Sequence, residues 1–109
     1  MTAVAVKHSA PVFAALGDPT RLRLVARLAQ GEPLSIRQLT DGERVTRQAI
    51  TKHLEVLSDA GLVSDRKRGR ERLYVLDAAP LDDARRYLDQ VSAQWDKAIA
   101  RLKVFVERE

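Results

Sequence analysis

The sequence predicts a mostly α-helical domain that carries one small β-hairpin and ends in a long helix. Three observations carry this. A capped amphipathic helix covers about residues 46–60, two short strands flank Gly69 within 62–76, and an apolar seam with heptad spacing fills 81–106. At 109 residues the chain reads as one domain over residues 1–109, large enough for a real but modest core. Hydrophobic residues make up 45%, ordinary for a folded domain, so disorder is not the expectation. Aromatics are only 5%, which suits a helical core built from Leu, Val, Ala and Ile.

Composition also excludes several classes of chemistry. There is no cysteine, so disulfides, thiolate metal sites and thiol redox sensing are ruled out. His8 and His53 are the only histidines, too few for a histidine-rich metal cluster. With no phosphate-binding glycine loop either, the chain has little equipment for catalysis, and neither an enzyme nor a cofactor is expected. Met1 to Val6 is apolar but too short for a signal peptide, and no run approaches a membrane span. A soluble, cytoplasmic protein is expected.

Residues 1–8 read as a loose arm, and Pro11 as the first position of a short helix through Val12, Phe13 and Leu16 that Gly17 ends. Asp18-Pro19 is a second start signal, a carboxylate cap followed by proline just inside the helix. That helix buries Leu24, Leu28 and Val25 and closes at Gly31. Arg21 and Arg23, near its start, are open to two readings, phosphate contact or plain solvation.

Ser35-Ile36-Arg37-Gln38 has the capping-box pattern, in which serine and glutamine satisfy each other's backbone donors. A short helix through Leu39 follows, then a turn at Asp41-Gly42. Thr46 caps the next helix, and Gly61 can end it in a left-handed turn with Leu62 packing back. On this helix Ile50, Leu54 and Leu57 form one apolar stripe. Gln48, Thr51, Lys52 and Glu55 point the other way, with Arg47 at the flank. Their hydrogen-bonding groups are of the kind that read base edges. His53 lies beside the stripe and is expected to pack rather than to read a base or switch with pH.

Leu62–Lys67 and Arg72–Leu76 read as strands joined at Arg68-Gly69-Arg70-Glu71. Between 66 and 72 stand Arg66, Lys67, Arg68, Arg70 and Arg72 against Glu71 alone, a density that suits phosphate contact. The chain carries +4 in all; residues 43–72 hold eight Lys/Arg against five Asp/Glu, while 80–109 hold six of each. Basic charge is therefore placed around the capped helix and the hairpin, as a nucleic-acid face requires.

Pro80 marks the last boundary. Beyond it Ala84, Leu88, Val91, Trp95, Ala98, Leu102 and Phe105 recur at spacings of 4, 3, 4, 3, 4 and 3. A helix of about 25 residues with such a seam needs another apolar surface, and a second copy of the chain is the economical source. Trp95 is accordingly expected at a buried interface, and Asp82-Asp83 near the helix start to complement the helix dipole.

Short helix, tight turn, capped second helix and basic hairpin together make a winged helix-turn-helix. The chain resembles the ArsR family of bacterial winged-helix repressors over roughly residues 10–80. The resemblance rests on Phe13-Ala14-Ala15-Leu16-Gly17-Asp18-Pro19-Thr20-Arg21-Leu22-Arg23 and on Thr46 through Val63. Within the latter, Ala49-Ile50-Thr51-Lys52-His53-Leu54 and Ala60-Gly61-Leu62-Val63 match best, and Gly69-Arg70 with Tyr74 matches the wing. It implies a homodimer joined through its first and last helices, Phe13 included, with each recognition helix in a major groove. Arg47, Gln48, Thr51 and Lys52 match the family's DNA-reading positions.

Many relatives sense metals through cysteines before the turn, or through histidine with carboxylates on the last helix. Here Leu34-Ser35-Ile36-Arg37-Gln38 has no cysteine, and the last helix has Asp82, Asp83, Asp89 and Asp96 but no histidine. The chain resembles the metal-independent branch, and the effector stays unassigned.

The expected function is a homodimeric, sequence-specific regulator of transcription on double-stranded DNA, repression being the family's usual mode. Thr46, Arg47, Gln48, Thr51, Lys52, Arg66, Lys67, Arg68 and Arg70 are the expected contacts, with Gln48 and Arg47 reading bases and the wing holding phosphates. Phe13, Leu88, Val91, Trp95, Ala98, Leu102 and Phe105 are the expected dimer face. The alternative is a winged-helix module that binds a protein partner through its last helix.

Overall fold

A computed structural model of the chain describes residues 3–108. The elements follow in the order α1 (Ala3–Leu16), α2 (Pro19–Leu28), β1 (Leu34–Ser35), α3 (Ile36–Thr40), α4 (Arg47–Asp59), β2 (Val63–Arg68), β3 (Glu71–Leu76) and α5 (Ala79–Glu107).

Residues 3–8 are not the loose arm that the sequence suggests. The backbone is helical from Ala3, and Pro11 sits inside α1 rather than at its start; Met1 and Thr2 lie outside the described residues. An internal proline removes one helical donor and crowds the preceding turn. Packing offsets this: Ser9, Val12 and Ala15 are buried, and α1 lies along α5.

The other helix starts form as their caps predict. The Asp18 carboxylate accepts the Arg21 N–H at 3.1 Å. Ser35 Oγ accepts the Gln38 N–H at 3.2 Å while the Gln38 side chain accepts the Ser35 N–H at 2.9 Å, the reciprocal pair of a capping box. Thr46 Oγ1 accepts the Ala49 N–H at 3.1 Å. At the far end of α4, Gly61 takes φ +77°. There Leu62 N–H reaches the Leu57 carbonyl and Gly61 N–H the Ser58 carbonyl, each at 2.9 Å, a complete Schellman closure. Leu62 is thereby folded into the core.

The wing is larger than the expected hairpin. β2 and β3 pair antiparallel from Val63↔Leu76 to Arg68↔Glu71, and β1 adds a third antiparallel strand through Leu34↔Tyr74 and Ser35↔Leu73. Two residues are too few for alternation to be visible in sequence. β1 nevertheless ties the start of α3 to the wing.

Leu24, Leu28, Leu39, Ile50, Leu54, Leu57 and Leu62 form the fully buried centre, with Val12, Ala15, Val63, Tyr74 and Ala84 around it. Truncating any of these leucines to alanine is expected to cost about 2–5 kcal/mol. α5 leaves this body. Its principal packing partner is α1, and Phe13 meets Tyr87 there with ring centroids 6.0 Å apart. The radius of gyration, 18.5 Å, far exceeds the roughly 13 Å of a compact chain this long.

Candidate nucleic-acid interface

α4 presents the polar face that its sequence predicts. Ile50, Leu54 and Leu57 are buried, while Arg47, Gln48, Lys52 and Glu55 are exposed and Thr51 is half-buried. Gln48, Thr51, Lys52 and Glu55 line one shallow hollow on the outer side of the helix. Thr51 Oγ1 donates to the Arg47 carbonyl at 2.9 Å, so this hydroxyl faces outward as an acceptor. Thr46 Oγ1 spends one lone pair on the cap and keeps its hydroxyl hydrogen and a second lone pair for an external partner. Arg47 lies apart from the hollow: it faces α3 and the wing.

His53, expected to pack, is half-buried and makes polar contacts. Its Nδ1 lies 3.1 Å from Arg21 Nη1 and 3.8 Å from Asp18 Oδ2. The Arg21 N–H bond, aided by the charge of Arg21, holds the Asp18 carboxyl below its ordinary value against a smaller opposing effect of burial.

The arginines of α2 are bonded within the protomer, Arg23 while still half-exposed. Arg21 Nε donates to the Ala15 carbonyl. Arg23 forks onto Glu43, Nε at 3.1 Å from Oε1 and Nη2 at 3.0 Å from Oε2, and Glu43 raises its pKa. Arg27, which the sequence did not single out, donates to the carbonyls of Gln38 at 2.7 Å and Leu39 at 3.0 Å. These are unpaired carbonyls at the end of α3, so Arg27 fastens the first helix of the motif to α2. No local signal links Arg27 to Leu39, because the contact is purely tertiary.

In the wing, residues opposite each other on paired strands share a face. Lys67 and Arg72 therefore lie on the face of buried Tyr74, and Arg66 and Arg68 on the opposite face. Gly69, φ +64°, and Arg70 make the two-residue turn, with the positive φ at the first position where glycine is favoured. Arg72 Nε is 3.0 Å from Asp65 Oδ2. Among the described residues, Arg47, Lys52, Arg66, Lys67, Arg68 and Arg70 make no ion pair.

The α5 residues expected at a dimer face form a stripe that is largely exposed. Ala84 is buried at the near end, Val91 and Ala98 are half-buried, and Leu88, Trp95, Leu102 and Phe105 are exposed, Trp95 by 65% and Phe105 by 63%. Phe13 is half-buried against Tyr87 within the protomer. Asp82, in the first turn of α5, pairs with Arg85 at 2.8 Å and Arg86 at 2.9 Å. No group of three or more His, Cys, Asp or Glu among the described residues is placed to hold a metal ion, and no described helix is long and apolar enough to cross a membrane.

A short helix, a turn, a capped helix with an outward polar face and a basic three-stranded wing define a winged helix-turn-helix DNA-binding protein. Residues 16–66 match the family described as a helix-turn-helix domain. The HTH-type transcriptional regulator Rv2034 of Mycobacterium tuberculosis is 39% identical over 95 residues, covering 87% of this chain and 85% of the relative. An ArsR-like transcriptional regulator from Rhodococcus sp. RHA1 superposes with a TM-score of 0.85 at 38% identity, covering 100% of this chain and 99% of the other. A solution structure of the homodimeric winged helix-turn-helix DNA-binding domain of Mb0332 from Mycobacterium bovis has a TM-score of 0.64 at 25% identity, over 89% of this chain and 86% of the other. The chain belongs to the ArsR family of helix-turn-helix transcriptional regulators, which bind DNA and are not enzymes.

Proposed function

We propose that this chain is a cytoplasmic, homodimeric repressor that binds an inverted-repeat operator through two copies of α4 and the wing, without a metal effector. The observation that carries the reading is the pairing of two unsatisfied surfaces on one protomer. One is the outward face of α4 with the unpaired wing cations; the other is the bare apolar stripe of α5. An apolar stripe on a helix that leaves the body is stabilised by covering it. A second copy does this symmetrically and sets two recognition helices a fixed distance apart. The homodimeric form of the Mb0332 domain supports the same assembly.

Gln48, Thr51 and Lys52 then face base edges, where glutamine pairs bidentately with adenine. Cations on both faces of the wing suit a ribbon that lies between two phosphate chains. The metal-independent reading is supported by the lack of cysteine and by carboxylates on α5 that face arginines instead of a histidine. Repression is carried over from the family's usual mode.

Selection from random duplexes tests the proposal: an inverted repeat should be enriched, and Gln48→Ala should relax preference at one position per half-site by about 1–3 kcal/mol. Enrichment of a single asymmetric half-site, or of nothing, contradicts it. Trp95 reports the assembly independently. Its emission should shift to the red on dilution as dimer dissociates; emission already typical of exposed indole in the dimer removes the α5 stripe from the interface.

A further inference from the structure

We infer that Arg47 is not a base reader but part of a phosphate clamp, built with Arg37, Arg70 and Arg72 in the notch between α3, α4 and the wing. This deepens the DNA-binding reading above and rests on it. The notch is a hollow of about 290 Å³ whose floor includes Ser35 and Ile36 and whose walls carry those four arginines and Glu71. Three separate elements deliver them: Arg37 from the first turn of α3, Arg47 from the first position of α4, and Arg70 and Arg72 from the turn and third strand of the wing. The β1–β3 pairing holds these elements together by fixing Ser35 opposite Leu73.

Charge selects the ligand. Arg72 is balanced by Asp65, and Glu71 offsets one more cation, but the side chains of Arg37 and Arg47 have no hydrogen bond or ion pair among the described residues. The arginines of α2, by contrast, are bonded within the protomer, as Arg21, Arg23 and Arg27 show. Two free guanidinium groups facing a shared concavity suit a doubly coordinated oxyanion. The neighbouring hollow, which Arg37 and Arg47 also border, carries Asp41 and Glu43 and is the poorer anion site. The outward side chains of α4 that suit base edges, Gln48, Thr51, Lys52 and Glu55, line a separate hollow that Arg47 does not border. The clamp fits a phosphate group, and its position beside the recognition helix assigns that phosphate to the DNA backbone rather than to a free anion. Arg37 and Arg47 thus position the protein, while Gln48, Thr51 and Lys52 specify the sequence.

The experiment measures affinity against salt for the full chain, using a duplex recovered by selection and a random duplex of equal length. Arg37→Ala and Arg47→Ala should each weaken both duplexes by the same factor. The double variant should flatten the log–log salt slope by about 0.9 per phosphate left unneutralised, hence about 1.8 per dimer, and each single variant by part of that. Arg37→Lys should restore most of the slope, and a repeated selection with Arg47→Ala should return the wild-type site. Thermal melts of the variants should match wild type, because neither side chain bonds to another part of the protomer. Relaxed base preference in Arg47→Ala with an unchanged slope overturns the assignment. Saturable binding of inorganic phosphate without DNA, abolished by Arg37→Ala while the DNA slope stays the same, overturns the DNA-backbone source. If wild type binds DNA and the variant slopes do not move, this inference alone fails; a wild type that binds no duplex overturns the functional reading with it.

Discussion

The arginines of α2 and three of the four in the wing are the same residue put to opposite uses. Arg21, Arg23 and Arg27 all find partners within the protomer: backbone carbonyls, His53 and Glu43. Arg66, Arg68 and Arg70 find none among the described residues. The first group closes helix ends and holds the motif in shape; the second leaves charge available to a partner. A guanidinium already bound to a carbonyl or carboxylate offers little to a phosphate, whereas a solvated one can exchange water and counterions for it. Net charge alone therefore misjudges this protein. What matters is which cations remain uncommitted after folding.

Four variants probe that division, from the largest expected effect to the smallest. Changing Arg68 and Arg70 together to alanine should leave stability within about 0.5 kcal/mol. DNA affinity should nevertheless fall steeply, with a salt slope shallower by about 0.9 for each phosphate that the wing no longer neutralises. A lowered melting temperature with an intact slope would reverse the assignment of these two side chains. Arg27→Ala should do the opposite. Removing its charge-assisted bonds to the Gln38 and Leu39 carbonyls is expected to destabilise by about 1.5–3 kcal/mol, read by denaturant titration. A stability equal to wild type would mean that water replaces the guanidinium at no cost.

Asp18→Ala should lower the denaturation midpoint modestly at neutral pH, because the first turn of α2 is left without its cap. The sign of its pH dependence follows from the lowered carboxyl pKa. That stabilisation is fully present above the ordinary carboxylate range and is lost as pH falls through the depressed folded value. Wild type and variant should therefore converge in strong acid, and a gap that widens on acidification contradicts the cap geometry. Arg23→Ala should have the smallest effect, a midpoint shift at the edge of detection, because its guanidinium is largely solvated and screened. A clear drop in the midpoint would show that the buried Glu43 side chain needs its partner more than exposure of the arginine suggests.

Most of the fold was legible along the chain because its signals are local. A cap serves N–H groups three residues on, a Schellman glycine closes the turn just before it, and a heptad repeats within one helix. Asp18, Ser35, Thr46, Gly61 and the α5 seam all act over such distances. The expected contact residues were likewise legible on α4, since period and polarity place Gln48, Thr51 and Lys52 on one face.

What failed to show in sequence depends on distant neighbours. α1 continues through Pro11 because α5 packs along it. β1 exists because β3 offers a ladder to two residues that have no strand signal of their own. Arg37 and Arg47 sit ten positions apart, and only the joining of α3, α4 and the wing brings them to one notch. By itself, then, the sequence determined α2, α3 and α4 with their capped starts, the seam of α5 and the polar and apolar faces, because each follows from interactions within a few residues. Only the tertiary structure decided which arginines stay free to meet a ligand, because that depends on whether a carbonyl or carboxylate from another element reaches them first.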